Sequence, residues 1–331
     1  MAMSGLTRID GLFEGAPAVQ PVGPGDADRD SVGAIQDLLR GQGQPSMPTP
    51  LAADYGLFGS KTTAAVNGFR SATGLLPSGL VDVEMMKALI QTPAKKPTAS
   101  RPYVTLALDF DWSALAKLVV MTSILEGEGA FGALNLNTDK AGLSYGIIQW
   151  AQKPQRLHEI LQAFSDADAD AYTAIFGGGD AAVASGLLDH TALPNGGVDS
   201  MGHTTDDQFD LTDNTWTARF QAATLSTEFQ KIQVKTALQA FQNSLNTLNG
   251  YAPEFTTERA VAFMLDVANQ FGNAGAKSLY GATAQNGQTV PDHLSAIADE
   301  SVNRMAAPLQ AGTRNRRDLF LNTPLLADTG F

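Results

Sequence analysis

Apolar residues recur at helical spacing between Trp112 and Leu125. Intervals of three and four residues place side chains on one face of an α-helix, and five residues follow them here: Leu115, Leu118, Val119, Thr122 and Leu125. Gly127 and Gly129 come directly afterwards and predict the end of the helix. Because Glu126 continues the same face, we expect a carboxyl group at the end of a buried helix.

The position of Glu126 suits acid catalysis. Partial burial and the negative end of a helix both favour the protonated form of a carboxyl group, which a general acid requires. A Gly- and Asn-rich passage then leads to Asp139, beside a β-type turn. Glycosidic bond cleavage uses two carboxyl groups in such different surroundings. Glu128, between two glycines, competes for the acid role but should be more exposed, and Asp139 could instead be an ordinary turn residue.

The sequence around these acids resembles the lysozyme superfamily, in particular family 46 chitosanases and phage-type lysozymes. Residues 122–126 (TSILE) are similar to the chitosanase helix that ends in the catalytic glutamate, and residues 139–150 (DKAGLSYGIIQW) follow the pattern around the second carboxylate. The resemblance implies that Glu126 is the general acid, that Asp139 is the general base, and that Ser144 helps to hold the attacking water.

Four residues of the same segment are candidates for sugar contacts, since sugar rings stack on aromatic faces. They are Gly142, Tyr145, Gln149 and Trp150. A structural, half-buried role for the tryptophan stays open. Further along, Asp266 could be the buried partner of an arginine such as Arg304 or Arg316.

A second set of helical stripes precedes this segment. One consists of Val32, Ile35, Leu38 and Leu39, and another of Thr62, Val66 and Phe69. With the intervening residues 54–59 (DYGLFG) they resemble the peptidoglycan-binding domain type 1, a small three-helix module. The resemblance implies peptidoglycan as partner, with Tyr55 and Phe58 at the ligand. Alternatively, the bundle only packs against its neighbour.

The chain of 331 residues is long for one compact core and predicts roughly two domains. We expect an N-terminal tail (1–25), a peptidoglycan-binding bundle (26–92), a stiff Pro- and Lys-containing linker (93–102) and a lysozyme-like domain (103–331). The predicted fold class is mainly α, with a small β-hairpin in the lysozyme-like α+β domain. Residues 164–215 are rich in Gly, Asp, Thr and Asn and predict an irregular insertion.

Composition narrows the classes of partner. The net charge of −12 argues against nucleic acid, and the absence of a long apolar run predicts no membrane insertion. With no cysteine there is no disulfide or thiolate site, and the four histidines lack zinc-binding spacing. We therefore expect no metal or organic cofactor. We also expect a monomer. The first thirty residues show no signal peptide, so the chain would be made in the cytoplasm and reach the wall by release or delivery.

The sequence thus predicts a modular, endolysin-like glycoside hydrolase. It would cleave the β-1,4 bond between N-acetylmuramic acid and N-acetylglucosamine, with inversion. Three alternatives stay open: a chitosanase, a lytic transglycosylase, and a non-catalytic wall-binding or phage structural protein. A phage endolysin, a delivered toxin and a host remodelling enzyme are equally compatible with the sequence.

Overall fold

The computed structural model describes residues 3–44, 46–323 and 325–331. Most described residues are helical, and the α-helices are α1 (Thr7–Glu14), α2 (Arg29–Gly41), α3 (Ser60–Ala72), α4 (Val83–Gln91), α5 (Ala114–Gly127), α6 (Arg156–Ala167), α7 (Ala169–Phe176), α8 (Ala181–Ala192), α9 (Asn214–Thr224), α10 (Thr227–Asn249), α11 (Glu258–Thr283), α12 (Val290–Asn303) and α13 (Ala307–Asn322). The predicted mainly-α class is confirmed. The chain divides into two compact units, Met1–Thr236 and Ala237–Phe331, whereas the sequence-based boundaries at 92 and 102 stay a prediction.

A small antiparallel sheet accompanies the helices of the first unit. Its strands are β1 (Leu134–Leu136), β2 (Leu143–Tyr145) and β3 (Trp150–Ala151), in the order β1-β2-β3. Asn135 pairs with Ser144, and Ser144 pairs with Ala151 on its other side. The predicted hairpin therefore forms the first two strands of a three-stranded sheet.

Helices α2, α3 and α4 form the predicted bundle, whose core contains Val32, Ile35, Leu38, Val66, Phe69 and Met85 among others. Aspartates start two of these helices, since Asp28 accepts from the backbone N–H of Ser31 and Asp82 from that of Met85. Helix α1 adds Ile9, Leu12 and Phe13 to this core. Part of the segment expected to be a tail is thus a packed helix, because three apolar side chains at helical spacing suffice to dock it.

The expectation of an irregular insertion at 164–215 is wrong for its first part, which contains α7 and α8. Residues 193–213 are irregular apart from two short 3₁₀ turns. Two aspartates of the first part start helices: Asp168 accepts from the N–H of Ala171 and Asp180 from that of Ala182, at 2.9 and 2.8 Å. Because Asp is as favourable at an N-cap as in a loop, an Asp-rich composition does not distinguish helix starts from irregular loops.

The second unit is built on α11, α12 and α13. Asp266 of α11 is fully buried and accepts hydrogen bonds from two arginines of α13. Arg316 Nη2 and Arg317 Nη1 each lie 2.6 Å from its carboxylate. The predicted pairing of Asp266 with Arg316 is confirmed, while Arg304 pairs with Glu300 instead.

Candidate functional site

Glu126 lies in the last turn of helix α5, as the spacing predicts. Ser113 caps the start of this helix by accepting from the N–H of Ala116, and Gly127 is its final residue. A side chain at Gly127 would meet the Cβ of Ala133 at 2.4 Å, so the helix end is closely packed. Glu126 is half-buried, whereas Glu128, in the left-handed region with φ 55°, is exposed. Of the two glutamates, Glu126 is in the drier surroundings.

Arg156 at the start of α6 is a neighbour of Glu126 that the sequence did not reveal. Burial lowers the pKa of the Arg156 guanidinium, while the charges of Glu159 and Glu126 raise it. An electrostatic attraction therefore links the start of α6 to the end of α5. No motif surrounds Arg156 in the sequence, and its approach depends entirely on the tertiary fold.

Asp139 lies in the turn that joins β1 to β2 and is exposed. One carboxylate oxygen accepts from the backbone N–H of Ala141 at 3.1 Å. The same turn is held by Asn137, whose side-chain oxygen accepts from the N–H of Gly142 at 3.0 Å. Asp139 therefore contributes to the turn, and its exposure leaves the rest of the carboxylate available to solvent.

Ser144 occupies the middle of β2, the central strand. It pairs with strands on both sides and is only 3% exposed. This burial restricts the contact of its hydroxyl group with water.

Gly142 and Gln149 shape the hairpin. Gly142 has φ +74°, and a side chain there would meet Gln152 Oε1 at 2.4 Å, so the position requires glycine. The Gln149 amide donates to the carbonyls of Ala133 and Gly146, each at 3.1 Å. Both residues therefore have structural contacts that explain them without a ligand.

The two aromatic residues expected at the sugar are inside the protein. Tyr145 and Trp150 are both fully buried. The Tyr145 hydroxyl donates to the carbonyl of Phe220 at 3.1 Å, and its ring lies 4.9 Å from that of Phe220. Because both rings are fully buried, neither offers a face to a sugar. Tyr145 anchors the sheet to helix α9 instead.

Phe58 and Tyr55, the predicted ligand residues of the bundle, differ in their burial. Phe58 is 5% exposed and belongs to the core. Tyr55 is half-buried and donates its hydroxyl hydrogen to Asp37 at 2.8 Å. Burial, and secondly the charge of Asp37, raise the pKa of Tyr55, which keeps the hydroxyl protonated as a donor. Phe58 is therefore a core residue and not a surface contact.

The segment between the bundle and helix α5 contacts the loop that follows Glu126. Ala99 donates its N–H to the carbonyl of Gly129 at 2.7 Å, and Phe131 donates to that of Pro97 at 3.0 Å. Thr98 and Ala130 form an antiparallel bridge. Pro97, Thr98 and Ala99 are buried, so this part of the predicted linker is packed against the protein.

Residues 28–89 match the family model of the peptidoglycan binding domain. The matched range covers most of α2 to α4, the bundle whose core and caps are described above. The predicted peptidoglycan-binding module is thereby supported, and with it association of the chain with the bacterial cell wall. No curated protein matched the chain.

No helix in the described part of the chain is long and apolar enough to cross a membrane. Within residues 3–44, 46–323 and 325–331, no three His, Cys, Asp or Glu side chains are grouped so that they could hold a metal ion.

Proposed function

We propose that the chain is a peptidoglycan hydrolase that cleaves the β-1,4 glycan between N-acetylmuramic acid and N-acetylglucosamine. The observation that carries this proposal is the pairing of residues 97–99, which follow the wall-binding module, with residues 129–131, which follow Glu126. A half-buried carboxyl group thus lies in the same compact unit as the module that matches the peptidoglycan binding domain. The module raises the local concentration of glycan near that carboxyl group.

Glu126 protonates the departing glycosidic oxygen in this proposal. Its half-buried position supports the role, and Arg156 is a positioning residue that orients the carboxyl group. As the acid loses its proton during the reaction, the nearby guanidinium stabilises the resulting carboxylate. Arg156→Lys should therefore retain more activity than Arg156→Met.

Asp139 activates water on the opposite face of the sugar, which inverts the anomeric centre. Its exposure in the β1–β2 turn supports access to water. Ser144 shares that water in the proposal, although its 3% exposure makes it the weakest member of the set. Ser144→Ala should slow hydrolysis more than it weakens binding. Proton NMR of the first product decides the stereochemistry, and a product that retains the β-configuration would exclude inversion.

The central experiment compares Glu126→Gln with Glu128→Gln on purified glycan chains from which the peptides have been removed. General acid catalysis contributes about 100- to 10,000-fold, so Glu126→Gln should lose activity on that scale. Glu128→Gln, which changes an exposed carboxylate two residues away, is the matched control and should stay close to the original rate. Equal losses in both variants, or a loss confined to Glu128→Gln, would refute the assignment.

A lytic transglycosylase is the second candidate, and the surroundings of Asp139 favour it. That reaction needs only the glutamate, whereas Asp139 is exposed and already accepts a turn hydrogen bond from Ala141. Mass spectrometry of the released muropeptides separates the two reactions. Anhydro-sugar ends would identify the transglycosylase, and reducing ends would identify the hydrolase.

A further inference from the structure

A cavity of about 480 Å³ lies between the helical bundle and the loop that follows Glu126. Its volume falls within the range of roughly 300–1,000 Å³ that is usual for small-molecule sites. Three cationic side chains line it, namely Arg40, Lys95 and Lys96. The chain has 34 acidic and 22 basic residues, yet the lining of this cavity contains three basic side chains and one acidic side chain. This excess of positive charge indicates a ligand that carries negative groups.

Arg40 supports that interpretation independently of the cavity. Its side chain is 14% exposed, and its Nη1 donates to the carbonyl of Pro48 at 3.1 Å and lies 2.9 Å from Asp37 Oδ1. Nε and Nη2 are buried and have no hydrogen-bond partner among the described residues. Buried donors are almost always satisfied, because leaving one unpaired costs free energy. A shift of the Arg40 side chain, which keeps 14% of its surface exposed, would bring these donors to an anionic oxygen of a ligand in the cavity.

One acidic side chain lines the cavity and restricts the ligand further. Asp37 lies outside the lining, where it is buried beside Arg40 and accepts from the hydroxyl of Tyr55. Glu128 lines the cavity and is exposed. Lys95 and Lys96 are exposed too, and the backbone N–H of Lys96 is fixed by the carbonyl of Gly41 at 2.8 Å. A complementary ligand therefore carries carboxylates together with one cationic group.

We propose that this cavity binds the stem peptide of peptidoglycan. Its carboxylates contact Arg40, Lys95 and Lys96, and the free ammonium group of its diamino acid contacts Glu128. Leu225, which also lines the cavity, packs on the alkyl part of the peptide. The inference rests on the proposed function, since it specifies which part of the wall polymer is recognised beside the glycan.

The test measures binding of the full chain by calorimetry, without any turnover. The probe is a soluble disaccharide that carries a stem peptide with a free diamino acid. Lys95→Ala with Lys96→Ala should weaken binding about tenfold, which corresponds to about 1.4 kcal/mol, because it removes two exposed ion pairs to the ligand. The matched control is Lys235→Ala with Lys277→Ala, which removes the same charge from two exposed positions outside both the cavity and the wall-binding module. Its affinity should stay within about twofold, below 0.5 kcal/mol.

Two further arms examine the chemistry of the ligand. Glu128→Gln should weaken binding of the probe but not of a probe whose amine has been acetylated. The peptide-free disaccharide should bind the Lys95/Lys96 variant and the original chain equally. Inorganic phosphate should compete with the probe only at far higher concentration.

The proposal would be overturned if the Lys95/Lys96 variant and the control variant bound the probe with equal affinity. It would also be overturned if phosphate competed with the probe at the same concentration as the probe. The outcome is separate from that of glycan cleavage. A chain that binds the stem peptide but cleaves no glycan would refute the hydrolase and keep this site. Glycan cleavage at a rate that does not depend on the stem peptide would refute this site and keep the hydrolase.

Discussion

Ala99 donates its backbone N–H to the carbonyl of Gly129 at 2.7 Å. This bond joins the segment after the wall-binding module to the loop after Glu126, and the bridge between Thr98 and Ala130 lies beside it. Together they form a short antiparallel pair outside the three-stranded sheet. A segment held in this way acts as a brace for the loop, and its displacement would break at least these bonds.

Gly129→Ala should destabilise the protein. Gly129 has φ +79°, and a Cβ at this position would lie 3.2 Å from the carbonyl oxygen of Ala99. The left-handed conformation alone costs a non-glycine residue about 1–2 kcal/mol. Gly312→Ala is the control, because Gly312 lies within α13 with open space around it, and alanine there should stabilise by about 0.5–1 kcal/mol. Urea denaturation measures both, and equal effects would show that the Gly129 loop is not constrained.

Two N-terminal deletions test the brace directly. A chain that begins at residue 93 retains the Ala99–Gly129 bond, the Phe131–Pro97 bond and the bridge, while one that begins at residue 103 loses all three. Both lack the bundle, so the difference between them reports on residues 93–102, that is, on the brace together with the contacts of Ser100 and Arg101 to Val104, Thr105 and Trp112. Because each net hydrogen bond is worth about 0.5–1.5 kcal/mol, the shorter chain should melt several degrees lower. Identical melting temperatures would mean that residues 97–99 contribute nothing to the loop.

The elements predicted well from the sequence are those whose signal is local. Helix α5 follows from apolar spacing, and it ends where Gly127 and Gly129 predict, with Gly127 as its last residue. The bundle follows from two apolar stripes with turn glycines between them. Helix α1 was missed because eight residues give too short a stripe to distinguish a docked helix from a tail.

The candidate site was predicted less completely, since burial and charge contacts depend on distant segments. Trp150 and Tyr145 looked like sugar contacts, but Tyr145 is covered by Phe220, some 75 residues further along the chain. Arg156 interacts electrostatically with Glu126 although the whole sheet segment separates them in the chain, and nothing near either residue in the sequence predicts that interaction. A motif reports which residues are close in sequence, whereas the surroundings of a carboxyl group are set by the fold.

Asp266→Ala should strongly destabilise the second unit. It would leave Arg316 and Arg317, which are 8% and 0% exposed at the side chain, without their buried carboxylate. Removal of one partner from a buried ion pair costs about 3–5 kcal/mol, since the remaining charge stays desolvated. Asp299→Ala is the control, because the carboxylate of Asp299 is 66% exposed in its pair with Arg314, and exposed pairs contribute about 0–1 kcal/mol. Similar losses of stability in both variants would contradict a structural role for the Asp266 cluster.

Tyr55→Phe should separate a structural role of this residue from a role in wall binding. The variant removes the hydroxyl that donates to Asp37 at 2.8 Å, and Asp37 is 5% exposed. A buried carboxylate that loses a donor costs about 1–3 kcal/mol, so the midpoint of urea unfolding should fall by a corresponding amount. Sedimentation with purified sacculi should be unchanged under conditions where the variant is folded, because the aromatic ring remains. If stability is retained and sacculus binding is lost, the hydroxyl contacts the wall and its bond to Asp37 only orients it.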